Sequence, residues 1–399
     1  MPASSTERLV RVSRWSIDFG SIIGHGTFGS VFRARDEEGS GEAVAAKVID
    51  ASRMKWEKIL AEVKLLNKVA HQEGIVGLYG AHEVSNAHGR AVVMLLELGT
   101  GDLLDLLTRK RVLAEAEALR YFREIVGAVE FLHTQRIAHR DLKLENVLIS
   151  ASGSCKLADF GLAHEYVGER DLDPCAVPGR PSEWREREVL YDVCGSKSYV
   201  APEVLLKLGY DGYSADVWSL GICLFAMLTG FFPFTEAAAQ DAYYAGTYNQ
   251  AAAYGSFTLA VFGLYNTPCP LSHRAVELID QLLRISPVLR CSAGDALALT
   301  CAAESGLDGQ LAPTALDAAA AGLPLMLPPH DSLEQEVSCS TPGSSSTSSY
   351  MSTCDSITDH IDMACSERLE PLSAQASPLS KSSCPSYWLA VTCQSPECC

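Results

Sequence analysis

AHRDLKLENVLI, Ala138 to Ile149, followed by LADFGLA, Leu157 to Ala163, is the stretch whose reading decides the fold. Taken singly, its polar residues have ordinary explanations: a His in a core, an Asp in a turn, an Asn capping a turn. Further segments surround it. IGHGTFGSV (Ile23 to Val31) carries glycines at 24, 26 and 29, which let a strand turn back closely enough for backbone N–H groups to approach phosphate oxygens. A lone G-x-G-x-x-G more often marks a tight hairpin, and the strand–turn–strand order here counts against a dinucleotide-binding βαβ unit. VAAK (Val44 to Lys47) puts a Lys in the next strand; if it faces inward it needs a counter-charge, because a lone buried ammonium is costly. Glu62, on the helix that follows, can supply it.

With YVAPE (Tyr199 to Glu203), DVWSLG (Asp216 to Gly221) and Arg290 added in order, the chain resembles the eukaryotic protein kinases over roughly residues 16–300. The resemblance implies an α+β, two-lobed protein kinase fold, with a small β-rich lobe over 16–96 and a larger helical lobe over 101–300. It implies ATP and Mg²⁺ as cofactors and gives each residue a role. Asp141 accepts the proton of the substrate hydroxyl, and Lys143 neutralises charge on the transferred phosphoryl group. Asn146 and Asp159 hold the metal, while Lys47, paired with Glu62, holds the α- and β-phosphates. Glu57 lies on the same helix, but Glu62 fits the family register better. Around the nucleotide, the resemblance places Ile23, Gly24, Gly26, Gly29, Val31, Ala45, Leu96 and Leu148, the hinge Glu97, Leu98 and Gly99, and Asp102 toward the ribose. His139 and Phe160 are expected to stack with Leu66 and Leu78 in a column joining the lobes.

Lys143, two residues after Asp141, is the Ser/Thr-kinase form, and Ser196 keeps the hydroxyl that can bond Asp141 and Lys143. The LKLEN spelling and the run from Gly212 to Phe234 look most like the calcium/calmodulin-dependent and AMP-activated kinase group. Asp102 and Glu145 sit where related enzymes bind a basic residue upstream of the target, so Arg or Lys is expected about three residues before it. Calmodulin control would need a basic amphipathic segment after the catalytic region; beyond residue 300 the only basic residues are Arg368 and Lys381. A scaffolding pseudokinase would usually have lost Lys47, Asp141 or Asp159, and all three are present. A small-molecule kinase of similar fold is disfavoured by the complete YVAPE motif, whose Glu203 can pair with Arg290.

Between the metal motif and YVAPE runs GERDLDPCAVPGRPSEWREREVLYDVCGS, Gly168 to Ser196, which the resemblance makes the activation segment, lengthened around Asp171–Glu188. In related kinases a phosphorylated residue two positions before the Cys-Gly pair is held by the Arg of H-R-D. Here that position is Asp192 and the Arg is Arg140. A carboxylate carries less charge than a phosphate and substitutes for it in part, and Ser182 and Tyr191 are the alternative hydroxyls for modification.

Periodicity places strands at Ile17–Ile23, Ser30–Arg35, Ala43–Ile49, Ile75–Ala81 and Ala91–Leu96, and a helix over Lys55–Val69 with Ile59, Val63, Leu66 and Val69 on one face. Helices are expected over Ala114–His133, Ala215–Thr229 and Ser272–Ile285, with residues 1–15 an N-terminal extension. Residues 301–399 read as an acidic Ser/Thr-rich tail too poor in apolar residues to order, apart from a short helix over Ala315–Ala321.

The 399 residues are 47% hydrophobic and 20% charged, enough for a sizeable core. A net charge of −17 without a basic stripe argues against nucleic acid or anionic lipid as the main partner. The fourteen Cys are scattered, with no metal-ligand spacing, as reduced thiols would be. Cys398-Cys399 is not a C-a-a-X box. The run Ser219–Phe234 is too short and too broken to span a bilayer. A monomer acting on protein substrates, cytoplasmic and able to reach the nucleus, is expected.

Overall fold

The computed structural model describes residues 9–26, 29–39, 41–86, 89–166, 189–207 and 209–305. The small lobe is a six-stranded antiparallel sheet of β1 (Leu9–Val12), β2 (Trp15–His25), β3 (Gly29–Asp36), β4 (Ala43–Asp50), β5 (Leu78–Asn86) and β6 (Gly89–Leu96), in the order β1-β2-β3-β4-β6-β5. Helix α1 (Trp56–Val69) connects β4 to β5. The strands alternate as a half-buried sheet requires: along β3, Phe32 and Ala34 point into the core while Arg33 and Arg35 point out. Phe32 joins Trp15, Ile17, Phe19, Val48 and Val93 in one apolar cluster.

β1 lies within the expected N-terminal extension and adds a strand there. Val10 and Val12 are buried, and Val12 pairs with Trp15 across a turn in which Ser13 takes a left-handed φ of 56°. Two apolar positions give too short an alternation to read as a strand. β5 also departs from the expected Ile75–Ala81. Ile75 instead bridges Leu157 in parallel, and Leu157 donates its N–H to the Gly74 carbonyl, so this apolar run ties the lobes together before the strand begins. On α1 the buried residues are Ile59, Glu62, Leu65, Leu66 and Val69. Glu62 occupies the inner face that apolar periodicity assigned to Val63, which is only partly buried.

β7 (Gly101–Asp102) and α2 (Leu103–Lys110) lead into the larger lobe, followed by α3 (Glu115–Thr134) and β8 (Ile137–Ala138). Next come β9 (Val147–Ile149), β10 (Cys155–Leu157), β11 (His164–Glu165), α4 (Pro202–Leu205), α5 (Gly212–Thr229), α6 (Ala242–Tyr254), α7 (Phe257–Leu264), α8 (His273–Leu282) and α9 (Ala293–Ser305). α3 buries Ala118, Leu119, Phe122, Ile125, Val126, Val129 and Leu132, the stripe expected of an amphipathic helix. α5 is apolar all round. It is long and apolar enough to cross a membrane by composition, but 89% of that window is buried inside the protein, which makes it a core helix. Asp211 caps its first turn by accepting from the Ser214 N–H, and Gly230 ends it at a left-handed φ of 78°. α8 is shorter than expected at both ends: Ser272 is its cap, accepting from the Ala275 N–H at 3.1 Å, and the helix stops at Leu282. α9 runs along α3 and carries the folded region to Ser305.

The two-lobed α+β architecture is therefore the one the motifs imply. The expected helix over Ala315–Ala321, the tail from 306 on with Cys398 and Cys399, and residues 167–188 with Ser182 all lie outside the described residues.

Candidate active site

The loop from β8 to β9 carries Asp141, Lys143 and Asn146, and its shape is set from beneath by Asp216 of α5. The Asp216 carboxylate accepts the backbone N–H of His139 at 2.8 Å and of Arg140 at 2.7 Å, and meets His133 Nε2 at 2.9 Å. This clamp holds Arg140 at a left-handed φ of 65°, a conformation that persists only where the surroundings over-determine it. The His139 ring accepts the Asp141 N–H at Nδ1 (3.3 Å), which leaves Nε2–H to donate to the Ala158 carbonyl at 3.1 Å. The ring also packs on Phe160, with centroids 5.1 Å apart.

Asp141 is held at both oxygens. Oδ1 accepts the Ser196 N–H (3.0 Å) and hydroxyl (2.9 Å), while Oδ2 accepts Asn146 Nδ2 (3.0 Å) and lies 3.1 Å from Lys143 Nζ. Lys143 donates in turn to Ser196 Oγ at 2.8 Å. Asp141, the Lys two residues on and the hydroxyl of CGS thus form one constellation.

Across the cleft, Lys47 of β4 pairs with Glu62 of α1 at 2.8 Å and with Asp159 at 2.7 Å. Burial alone would lower the Lys47 pKa, but the Asp159 and Glu62 carboxylates outweigh it and hold the ammonium above its ordinary value. Burial pushes Glu62 up, opposed by Lys47. Asp159 goes the other way: burial opposes its charge, yet Lys47 draws it down to about 2. Its folded pKa therefore lies below the unfolded value of about 4. That stabilisation is complete above about pH 4 and is lost as pH falls toward 2. Glu62, raised in the fold, has the opposite sign and is less costly when protonated. Thermal melts between pH 4 and pH 2 are expected to fall less steeply for Asp159→Asn than for the wild type. Parallel curves would show that the Lys47–Asp159 pair adds nothing to stability.

The metal assignment passes a test of donor chemistry. Asn146 spends Nδ2 on the Asp141 carbonyl (2.9 Å) and carboxylate, leaving its amide oxygen out of those bonds. Both hydrogen bonds to Asp159, from Lys47 and from the Gly161 N–H, fall on Oδ1. Two hard oxygen donors suit Mg²⁺, which takes the rest of its shell from phosphate and water. No cluster of three or more His, Cys, Asp or Glu able to hold a metal by itself occurs among the described residues.

The residues expected around the nucleotide line the seam between the lobes. Gly24 pairs with Val31, Val31 with Lys47, and Ala45 with Leu96, so sheet register alone aligns the roof of the cleft. Gly26 and Gly29 close the turn by exchanging N–H···O bonds of 2.9 and 3.4 Å. Gly29 has a second reason to be glycine: a Cβ there would run into the Val48 carbonyl oxygen of β4. Ile23 is 39% exposed, a bare apolar side chain at the cleft mouth. Leu148 pairs with Asp102 below, and a Cβ on Gly99 would lie 3.1 Å from Leu148 Cβ, so hinge and floor meet here. The Glu97 N–H donates to the Gly77 carbonyl, and the Glu97 side chain lies 3.5 Å from Lys156. Leu98 is half-buried in the same hinge. Asp102, expected toward the ribose, caps α2 by accepting the Asp105 N–H at 2.8 Å. Burial raises its pKa, as it does that of Glu145, which accepts the Tyr199 hydroxyl at 3.0 Å.

Sequence reading missed the parts played by Asp216, His133 and Tyr199. Asp216 left a signal, since an acid at the head of the longest apolar run must find partners when buried. His133 and Tyr199 left none.

Comparison with known proteins bears on the family. The family described as the protein kinase domain matches residues 17–300. CBL-interacting protein kinase 16 of Oryza sativa subsp. japonica is 36% identical over 296 residues, 73% of this chain and 57% of that protein. CBL-interacting protein kinase 30 of the same plant is 37% identical over 240 residues, 59% of this chain and 46% of that protein. CBL-interacting serine/threonine-protein kinase 3 of Arabidopsis thaliana is 32% identical over 284 residues, 70% and 56% respectively. The chain spans about half the length of these curated relatives.

Proposed function

The chain belongs to the protein kinase family, and on that premise we propose that it transfers the γ-phosphoryl group of ATP to Ser and Thr hydroxyls of proteins. The observation that carries the reading is the Asp141–Lys143–Ser196 constellation, facing a Lys47 that reaches both Glu62 and Asp159. Phosphoryl transfer asks little covalent work of a protein and much positioning and charge stabilisation, which this arrangement supplies. In the reading, the hinge and the cleft roof seat the adenine, and Lys47 holds the α- and β-phosphates. When bound through Asn146 and Asp159, Mg²⁺ supplies charge neutralisation between the phosphates. Asp141 orients the attacking hydroxyl and takes its proton as the oxygen–phosphorus bond forms. The bond from the γ-phosphorus to the β,γ-bridging oxygen breaks, and ADP leaves with that electron pair. Lys143 offsets the charge on the group in flight.

Protein substrates are favoured over small molecules because the segment after the site is anchored as a platform: Arg290 pairs with Glu203, which directly follows the proline of YVAPE. Lys143, the Ser/Thr-kinase form at that position, donates to the hydroxyl of Ser196, which also bonds Asp141. Half-buried Asp102 and Glu145 support a preference for a basic residue upstream of the target. Interaction with CBL, stated in the relatives' names, belongs to those proteins. A peptide array scanning Arg through the five positions before a central Ser tests the preference. Enrichment near the third position is expected, and a flat profile would remove it.

A further inference from the structure

We propose that Lys197 is a specificity-determining residue whose ammonium takes an acidic side chain directly beside the Ser or Thr being phosphorylated. The proposal deepens the kinase reading above and rests on it. It is carried by the way the turn from Ser196 to Tyr199 is pinned against Asp141. Upstream of the turn, Asp192 accepts from Arg140 Nη1 at 2.8 Å. Ser196 gives Asp141 its N–H at 3.0 Å and its hydroxyl at 2.9 Å. The Ser196 carbonyl accepts the Tyr199 N–H at 2.8 Å and the Val200 N–H at 3.1 Å, which closes the turn. The far side is held too: the Tyr199 hydroxyl donates to Glu145 at 3.0 Å, and its carbonyl accepts from Ser219 Oγ at 2.9 Å. From Cys194 to Val200 every residue except Lys197 is buried. A peptide that brings its hydroxyl to Asp141 therefore meets a rigid turn from which one side chain projects, and that side chain is a cation.

The ammonium is steadied from behind. Lys197 Nζ meets Glu236 Oε2 at 3.1 Å, the Lys side chain being 35% exposed and the Glu side chain 17%. Glu236 is itself fixed: its Oε1 accepts from Gln240 Nε2 at 2.6 Å, and its N–H donates to Asp241 Oδ2 at 3.2 Å. An ammonium has three N–H donors, and Glu236 is the one carboxylate paired with this one among the described residues. The remaining donors are left for a second carboxylate, which binds without displacing the first. Lys143 does not compete for it, being spent on Ser196 Oγ and the Asp141 carboxylate. Asp102 and Glu145 serve the upstream residues in the reading above, so the acid is expected at the position just after the target. On a chain of net charge −17 the field as a whole repels an acidic peptide. A preference for a flanking acid therefore has to come from a local cation, and Lys197 is placed to supply it.

The test uses the full chain with Mg-ATP and peptides alike except for Asp, Ala or Lys directly after a central Ser. The readout is the ratio of kcat/KM for the Asp peptide to that for the Ala peptide, so each form of the protein is its own reference. The wild type is expected to favour Asp about 2- to 5-fold, the scale of one partly exposed ion pair. The difference lies in the KM for peptide, with the KM for ATP constant. Lys197→Ala removes the preference, and Lys197→Glu reverses it in favour of the Lys peptide. Glu236→Gln keeps an acceptor behind the ammonium, removes the competing charge and raises the ratio. No preference in the wild type, or the same ratio in the wild type and both Lys197 variants, would overturn the proposal. If the Lys197 variants do not fold, Glu236→Gln decides: a higher ratio upholds the proposal and an unchanged one rejects it. The same peptides with Ala in place of the target Ser are titrated against each form by fluorescence anisotropy. If no peptide is phosphorylated by any form, the kinase reading fails, while the ratio of Kd for the Asp and Ala peptides still judges Lys197.

Discussion

Asp141→Asn is expected to lower kcat by about 10³-fold, within the range for loss of a positioned general base, with little change in the KM for ATP. The substitution is nearly isosteric, and Asp141 lies at the centre of the site without holding up its walls. Its oxygens accept from Ser196 and Asn146 and contact Lys143, whereas the loop is shaped independently by Asp216 binding the His139 and Arg140 amides. The variant should therefore melt close to the wild type. In the proposed mechanism it loses the acceptor for the hydroxyl proton and the charge opposite Lys143. Steady-state kinetics with thermal melting separates these effects, and a kcat within about 10-fold of wild type would remove Asp141 from the proton's path.

The second large effect concerns stability. Arg290 has no exposed side-chain surface; it binds Glu203 at 2.6 and 3.1 Å, donates to the Arg284 carbonyl at 3.0 Å and lies 5.1 Å from the Trp218 ring centroid. It joins α4 to α5 and to the chain after α8, where no other ion pair is available to it among the described residues. Glu203→Ala leaves that guanidinium buried with only carbonyls around it, at a cost of about 3–5 kcal/mol. For a domain of this size the expected fall in Tm is about 10 °C. Glu203→Gln keeps an acceptor without the charge and should fall between. A Tm change under about 2 °C for Glu203→Ala would show that the pair is not a tie between these elements.

Most of the site is legible in the sequence because its chemistry sits in short contiguous motifs. Asp141, Lys143 and Asn146 share six residues, and the glycines of the cleft roof share another six. Residues whose task depends on a distant partner were harder to read. Glu62 belongs on the buried face of α1 only because Lys47 meets it there, and apolar periodicity passes over a buried acid. Asp216 looks like a break in a greasy run until the His139 and Arg140 amides are seen to converge on it. β1 is too short to announce itself, while Ile75 and Val76 are apolar enough for a strand but spend their hydrogen bonds on Gln72 and Leu157. α6 and α7 carry no charged residue, so no polar face marks their orientation. Asp102 shows a further limit. Its place in the motif suggested a ligand contact, and its first duty in the fold is a helix cap.

The central claim is that Asp141 directs phosphoryl transfer to a protein hydroxyl. Its most direct test is to incubate the full chain and its Asp141→Asn variant with Mg-ATP labelled at the γ-phosphate and a degenerate Ser/Thr/Tyr peptide library, then identify the labelled amino acid. The account predicts phosphoserine and phosphothreonine from the wild type and a signal about 10³-fold weaker from the variant. Label on tyrosine alone, no label from the wild type, or equal label from both proteins would contradict it.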